Sequence, residues 1–221
     1  GALQAVPEEN VTSEVTQLVQ CTGAQTEDID KGSIGTGSCA TANAPPLEQA
    51  RVRRDVLSGG IQDITNAMVE GSSLNDILRI IIETVYTGIG FDHVIFALRD
   101  PRREAMAGRF GLGEGIDTLV GQFHFPLEFA PDVFHVALEK NIDVFIADTG
   151  DAKIAARIPD WYRKAFDAGA FLLFPIIVKG KPFGMIYADA TRAKSVVIQE
   201  DEIKLLRTLR NQAVLAVRQS T

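Results

Sequence analysis

The chain has 221 residues, 46% of them apolar and 23% charged, enough material for one full folded domain with something to spare. Its formal charge of −7 is unevenly spread: residues 1–50 hold seven acids against a single base, Lys31, and the remainder is close to neutral. The folded part therefore has no overall field to attract nucleic acid, and no apolar run approaches the roughly 20 residues that a membrane-spanning helix needs.

Both cysteines, Cys21 and Cys39, fall in the acidic N-terminal segment, so no disulfide framework braces the rest. With no signal peptide at the start, the reading is a cytoplasmic protein with neither membrane nor nucleic acid as a partner. Residues 1–46 read as a largely disordered linker. Its second half is rich in Gly, Ser, Thr and Ala and closes on Pro45-Pro46, and Val11, Val15, Leu18 and Val19 before it suggest one short helix. A chain that opens on a linker leads us to expect a partner domain on its N-terminal side.

From residue 47 the pattern is regular. Leu57, Ile61, Ile64 and Met68 form one stripe on a helix of about 20 residues. Gly71-Ser72-Ser73 breaks it, and Ser73 with Asp76 at the capping-box position starts a second helix, apolar at Leu74, Ile77, Leu78, Ile81, Ile82 and Val85, that ends at Gly88. Strands follow over 93–98 and 104–110, joined by Asp100-Pro101-Arg102, and the glycine-rich stretch 111–115 reads as a loop. One helical turn over 116–121 and a short strand over 122–125 lead to a helix over 133–140 capped by Asp132. After a strand over 144–146 comes a partly amphipathic helical excursion over 151–167. Strong strands over 171–178 and 182–188 then flank a turn at Lys179-Gly180-Lys181, and a long helix over 199–219 closes the chain with Leu206, Leu209, Ala213 and Ala216 on its packed side. Hairpins at both ends of this order predict an α+β fold with an antiparallel sheet of about six strands, its terminal helices together on one face.

Two local stretches then resemble a known family, the GAF domain, over about 70–219. One is Gly90-Phe91-Asp92-His93-Val94, leading into the first strand. The other, more specific, runs from Phe174-Pro175-Ile176 through Lys179-Gly180-Lys181 to Gly184-Met185-Ile186-Tyr187-Ala188-Asp189. More narrowly, Arg109-Phe110-Gly111, the stretch from Phe129 to His135 and Ala155-Ala156-Arg157-Ile158-Pro159 look like the GAF domain that follows an HDOD domain in bacterial signalling proteins. The resemblance implies a regulatory module of bacterial signal transduction. It implies a small molecule bound between one face of the sheet and its covering loops, a homodimer formed through terminal helices, and an N-terminal output domain beyond this chain.

No enzyme is expected. GAF enzymes that reduce free methionine sulfoxide need cysteines in the core, as does a covalently held bilin, and this core has none. The Asn-Lys-x-x-x-Phe-x-x-x-Asp-Glu pattern of cyclic-nucleotide-binding members is missing. His93, His124 and His135 lack metal-ligand spacing, so neither metal nor cofactor is expected. His124 alternates with Phe123 and Phe125 and should point away from both.

An aromatic-lined pocket remains. Phe110, Phe123, Phe125, Phe134, Phe145, Trp161, Tyr162 and Tyr187 fall on segments that the resemblance places over the ligand face, with Arg109 and Arg157, besides His124 and Asp189, as its polar groups. Trp161 and Tyr162 lie in an excursion resembling a lid. The alternative is that these rings simply fill the core, making the chain a dimerisation and transmission module with a collapsed pocket.

Overall fold

The computed structural model describes residues 46–220; the expected linker and short helix, with Cys21 and Cys39, lie outside these residues. The first helix, α1 (Pro46–Val69), turns Leu57, Ile64 and Ala67 inward. Helix α2 (Leu74–Val85) starts where Ser73 Oγ accepts the Asp76 amide. It continues as a five-residue π-helical turn, Tyr86–Gly90, that ends on Gly90 at φ 82°.

Strands β1 (His93–Asp100) and β2 (Ala105–Gly113) form the first hairpin. Here β2 runs three residues past the expected end at Phe110, through glycines that composition alone assigns to a loop. A Cβ at Gly111 would lie 2.5 Å from the Val94 carbonyl oxygen, and one at Gly113 would lie 2.4 Å from that of Asp92. Glycine is what lets the two backbones lie this close. The chain then forms α3 (Ile116–Gln122), β3 (His124–Pro126), α4 (Val133–Lys140) and β4 (Val144–Ile146). The excursion resolves into two short helices, α5 (Ala152–Ala155) and α6 (Asp160–Ala165). Strands β5 (Ala170–Val178) and β6 (Lys181–Ala190) and the last helix, α7 (Glu200–Gln219), complete the fold. Between β5 and β6 the turn has two residues, not three: Val178 faces Lys181, while Lys179 and Gly180 take φ values of 52° and 74°. Two consecutive left-handed residues match the twist of a tight hairpin.

All six strands form one antiparallel sheet in the order β3-β2-β1-β6-β5-β4. Period-two alternation divides its side chains between two layers. On one face Phe96, Phe174, Ile186 and Ala188 pack under α1, α2 and α7, against Leu57, Ile81, Leu206 and Leu209. On the other face Ile95, Leu173, Met185 and Tyr187 meet α4, α5 and α6. The terminal-helix stripes are thus spent on the chain's own core. The large apolar side chains left exposed on these helices are Val52, Val69 and Leu215, the first two about 25 Å apart along α1. Among the described residues no helix is long and apolar enough to cross a membrane.

Candidate functional site

The second layer holds the candidate chamber. Its floor is Phe171 of β5 and Tyr187 of β6; its walls are Phe123 beside β3, Phe125 on it and Phe134 of α4. Its cover is Trp161, Tyr162 and Phe166, on or just after α6. Asp132 builds one wall by capping α4: its Oδ1 accepts the amides of Phe134 at 2.9 Å and His135 at 3.0 Å, which sets the entry angle of the helix. A bond from the Val133 amide to the Arg157 carbonyl (3.1 Å) ties the start of α4 to the turn between α5 and α6.

Inside, the rings pack on one another. Phe134 stacks on Phe171 with centroids 5.7 Å apart, Tyr162 on Phe166 at 5.1 Å, and Trp161 on Phe125 at 5.2 Å and 15°. Phe123 and Tyr187 meet at the centre at 5.1 Å. Each such pair adds about 0.5–1.5 kcal/mol beyond area burial, so the chamber is a well-cohered core as it stands. Trp161 differs from its neighbours. It is only partly buried, and its indole Nε1 is shielded from solvent yet meets no acceptor of the chain. An orphaned buried donor costs about 1–3 kcal/mol.

One polar chain leaves this apolar space. The β1–β6 register sets His93 opposite Asp189, and alternation puts both on the face of Tyr187. The Tyr162 and Tyr187 hydroxyls lie 3.0 Å apart, and Tyr187 donates to Asp189 Oδ2 at 2.6 Å. Asp189 Oδ1 meets His93 Nδ1 at 2.8 Å, and His93 Nε2 reaches the Glu114 carbonyl at 3.0 Å. Burial pushes both tyrosines well above their ordinary range and raises Asp189 despite its hydrogen bonds to Tyr187 and His93. A run of hydrogen bonds therefore links the bottom of the chamber to the loop that follows β2.

Of the expected pocket residues, the structure gathers Phe123, Phe125, Phe134, Trp161, Tyr162 and Tyr187. Phe110 and Phe145 lie on the opposite face: Phe110 is paired with Phe96 and Phe145 with Leu172, and both pack against the helix-covered core. For Phe110 the reason is a bulge. Phe96 faces Phe110 and Ala97 faces Gly108, which leaves Arg109 as the extra residue, exposed to solvent. Arg157 is half-buried and contributes its carbonyl to α4, as above.

Phe166 and Phe171 were missed as lining residues, although both follow from the same alternation and helix spacing that place Tyr187 and Tyr162. His93 was missed as the partner of Asp189, which only the strand register reveals. His124 is exposed and turned away from Phe123 and Phe125. His135 is buried, with Nδ1 at 2.8 Å from Asp132 Oδ2 and Nε2 at 2.9 Å from the Pro126 carbonyl. Among the described residues no group of three or more His, Cys, Asp or Glu side chains is placed to hold a metal ion.

Comparison with known proteins supports this architecture. Among solved structures, the GAF domain of a phosphoenolpyruvate-protein phosphotransferase from Acinetobacter is similar with a TM-score of 0.59 at 18% identity, over 80% of this chain and 96% of that one. The phycoerythrobilin-bound GAF domain of a cyanobacterial phytochrome gives 0.60 at 16% identity, over 75% and 96%. A free methionine-R-sulfoxide reductase from Neisseria meningitidis, solved with its substrate, gives 0.56 at 16%, over 81% and 96%. At such identities these likenesses speak for the fold alone. No curated protein sequence matches the chain. The family model for the GAF domain matches residues 71–218, most of the chain, and the helix-covered antiparallel sheet agrees with that match. The chain belongs to the GAF domain family, a regulatory fold of signalling proteins.

Proposed function

We propose that the chain is a non-enzymatic sensory module of a bacterial, cytoplasmic signalling protein. It takes a small molecule into the aromatic chamber and passes the change to an output domain through its terminal helices. In this reading the module works as a homodimer, and the output domain, of the HDOD type, lies N-terminal to the chain. The observation that carries the proposal is Trp161. It stacks on Phe125 like a bound planar ligand, sits on a helix of only six residues, and leaves its Nε1 without an acceptor. A planar ligand that takes its place on Phe125 gains the stacking and lets the indole recover hydrogen bonds to water.

A second reading, a dimerisation and transmission module with a collapsed chamber, is favoured by the mutual packing of Phe123, Phe134, Tyr162 and Tyr187, all buried. Trp161 is the sole tryptophan, so its emission reports its own displacement. We would screen nucleotides, cyclic dinucleotides, amino acids and small aromatic acids by tryptophan fluorescence and thermal shift. A ligand of the chamber moves the emission to longer wavelength, and at 100 times its Kd it adds about 2.7 kcal/mol of stability. If no compound does so, and Trp161→Ala fails to take up even indole, the sensor reading gives way to the structural one.

A further inference from the structure

On the helix side of the sheet, where β6 ends and the connector to α7 begins, lies a cleft of about 460 Å³. The aromatic chamber is in the other layer, and the two share no lining residue. Two guanidiniums line the cleft from distant parts of the chain: Arg53 on α1 and Arg192 in the β6–α7 connector. Arg53 is fixed in place because one of its terminal nitrogens donates to the Val197 carbonyl at 3.0 Å, an arrangement that leaves its other N–H groups uncommitted. Among the described residues the Arg192 guanidinium has neither an ion pair nor a hydrogen bond. Asp92 also lines the cleft: its Oδ2 accepts the Thr191 amide at 2.7 Å, one residue before Arg192, and its carboxylate meets no cation. Ser195 donates its hydroxyl proton to the Arg192 carbonyl at 2.6 Å, so its oxygen faces the cleft as an acceptor.

We propose that this cleft is a second ligand site, for a small organic anion that carries both an acid group and a hydrogen-bond donor. Two positive charges against one negative leave a positive excess, which a ligand of net negative charge balances. Guanidiniums in pairs match the oxygens of phosphate and carboxylate. Asp92 and Ser195 are acceptors, so a bare oxyanion would be repelled there, while a hydroxyl or an ammonium is held. A sugar phosphate and an acidic amino acid both carry this chemistry, and about 460 Å³ is room for either. The site also has a mechanical consequence. Its arginines come from the first helix and from the approach to the last, so an occupant clamps α1 to the α7 connector.

The test is thermal shift on the whole chain with ribose 5-phosphate, L-glutamate and inorganic phosphate, each at 10 mM (~10 mM free ligand, far above a micromolar Kd) and against potassium chloride of equal ionic strength. Ribose 5-phosphate or glutamate should raise the midpoint by about 3 °C or more; whichever does so identifies the acid group. Arg192→Gln, an exposed connector change, should keep the unliganded midpoint and weaken binding by about tenfold or more. Should neither organic probe exceed the salt control, or should Arg192→Gln respond like the parent, the site does not exist. Inorganic phosphate binding as tightly as ribose 5-phosphate overturns the requirement for a donor group beside the acid. Trp161 emission stays unchanged throughout, which separates this outcome from any effect in the chamber.

Discussion

His135 is held between two acceptors, the Asp132 carboxylate and the Pro126 carbonyl, so both ring nitrogens need protons. Burial alone lowers its affinity for a proton; the Asp132 hydrogen bond and charge, helped by Pro126, outweigh this and raise the pKa above the ordinary 6.5. A raised histidine stabilises the fold fully below the unfolded value, and the contribution is lost as pH climbs through the folded one. Urea denaturation should therefore show stability falling on going from slightly acidic to alkaline pH. In His135→Gln most of that fall should vanish; equal falls in the two proteins would show that the clamp carries no charge. Part of this was legible in the sequence, because an Asp cap three residues before a histidine is a local pattern. The Pro126 carbonyl was not, since it arrives from the preceding strand across an irregular loop.

At the scale of elements, α1 carries two adjacent glycines with opposite expectations. A Cβ at Gly59 meets nothing within 4 Å, whereas one at Gly60 would lie 2.2 Å from Thr84 Oγ1 and 2.8 Å from Thr84 Cβ. Gly59→Ala should thus gain about 0.5–1 kcal/mol from helix propensity. Gly60→Ala gains the same locally but must push α1 off α2, and it should end destabilised by about 1–2 kcal/mol. Thermal midpoints moving in the same direction would refute the close crossing at Gly60. The elements themselves were readable where periodicity is long, as in the stripe of α1 or the cap of α2. Reading stopped where periodicity has no memory. The bulge at Arg109 resets the count in β2, and Val144-Phe145-Ile146 is apolar throughout, so alternation cannot say which face Phe145 takes.

For the whole molecule, the family match begins at residue 71, yet α1 lies before it and is part of the core. Leu57 and Ile64 are fully buried against α2 and α7, in the same cluster as Ile81 and Leu209. A fragment of residues 71–220 would uncover that groove. It should lose at least the roughly 2–5 kcal/mol typical of emptying one large core position and should bind a hydrophobic dye; a fragment as stable as the parent would make α1 an accessory. The order of helices and strands was enough to give the architecture, since hairpins at both ends of the chain force the two halves to meet edge to edge. The packed state of the chamber was not legible, because its rings come from five separate segments and meet only in three dimensions.

That meeting line also governs how the molecule assembles. β1–β2 and β5–β6 are hairpins that close over short loops, whereas the seam pairs His93 with Asp189 and Leu98 with Gly184, partners 96 and 86 residues apart. Loop-closure entropy makes local pairs early and distant ones late. Two half-sheets should therefore form first and stay open along one edge each until β1 finds β6. During that interval the unpaired edges are the chain's most exposed route to misassociation, and crowding by nascent copies of itself is the hazard its fold has to outrun.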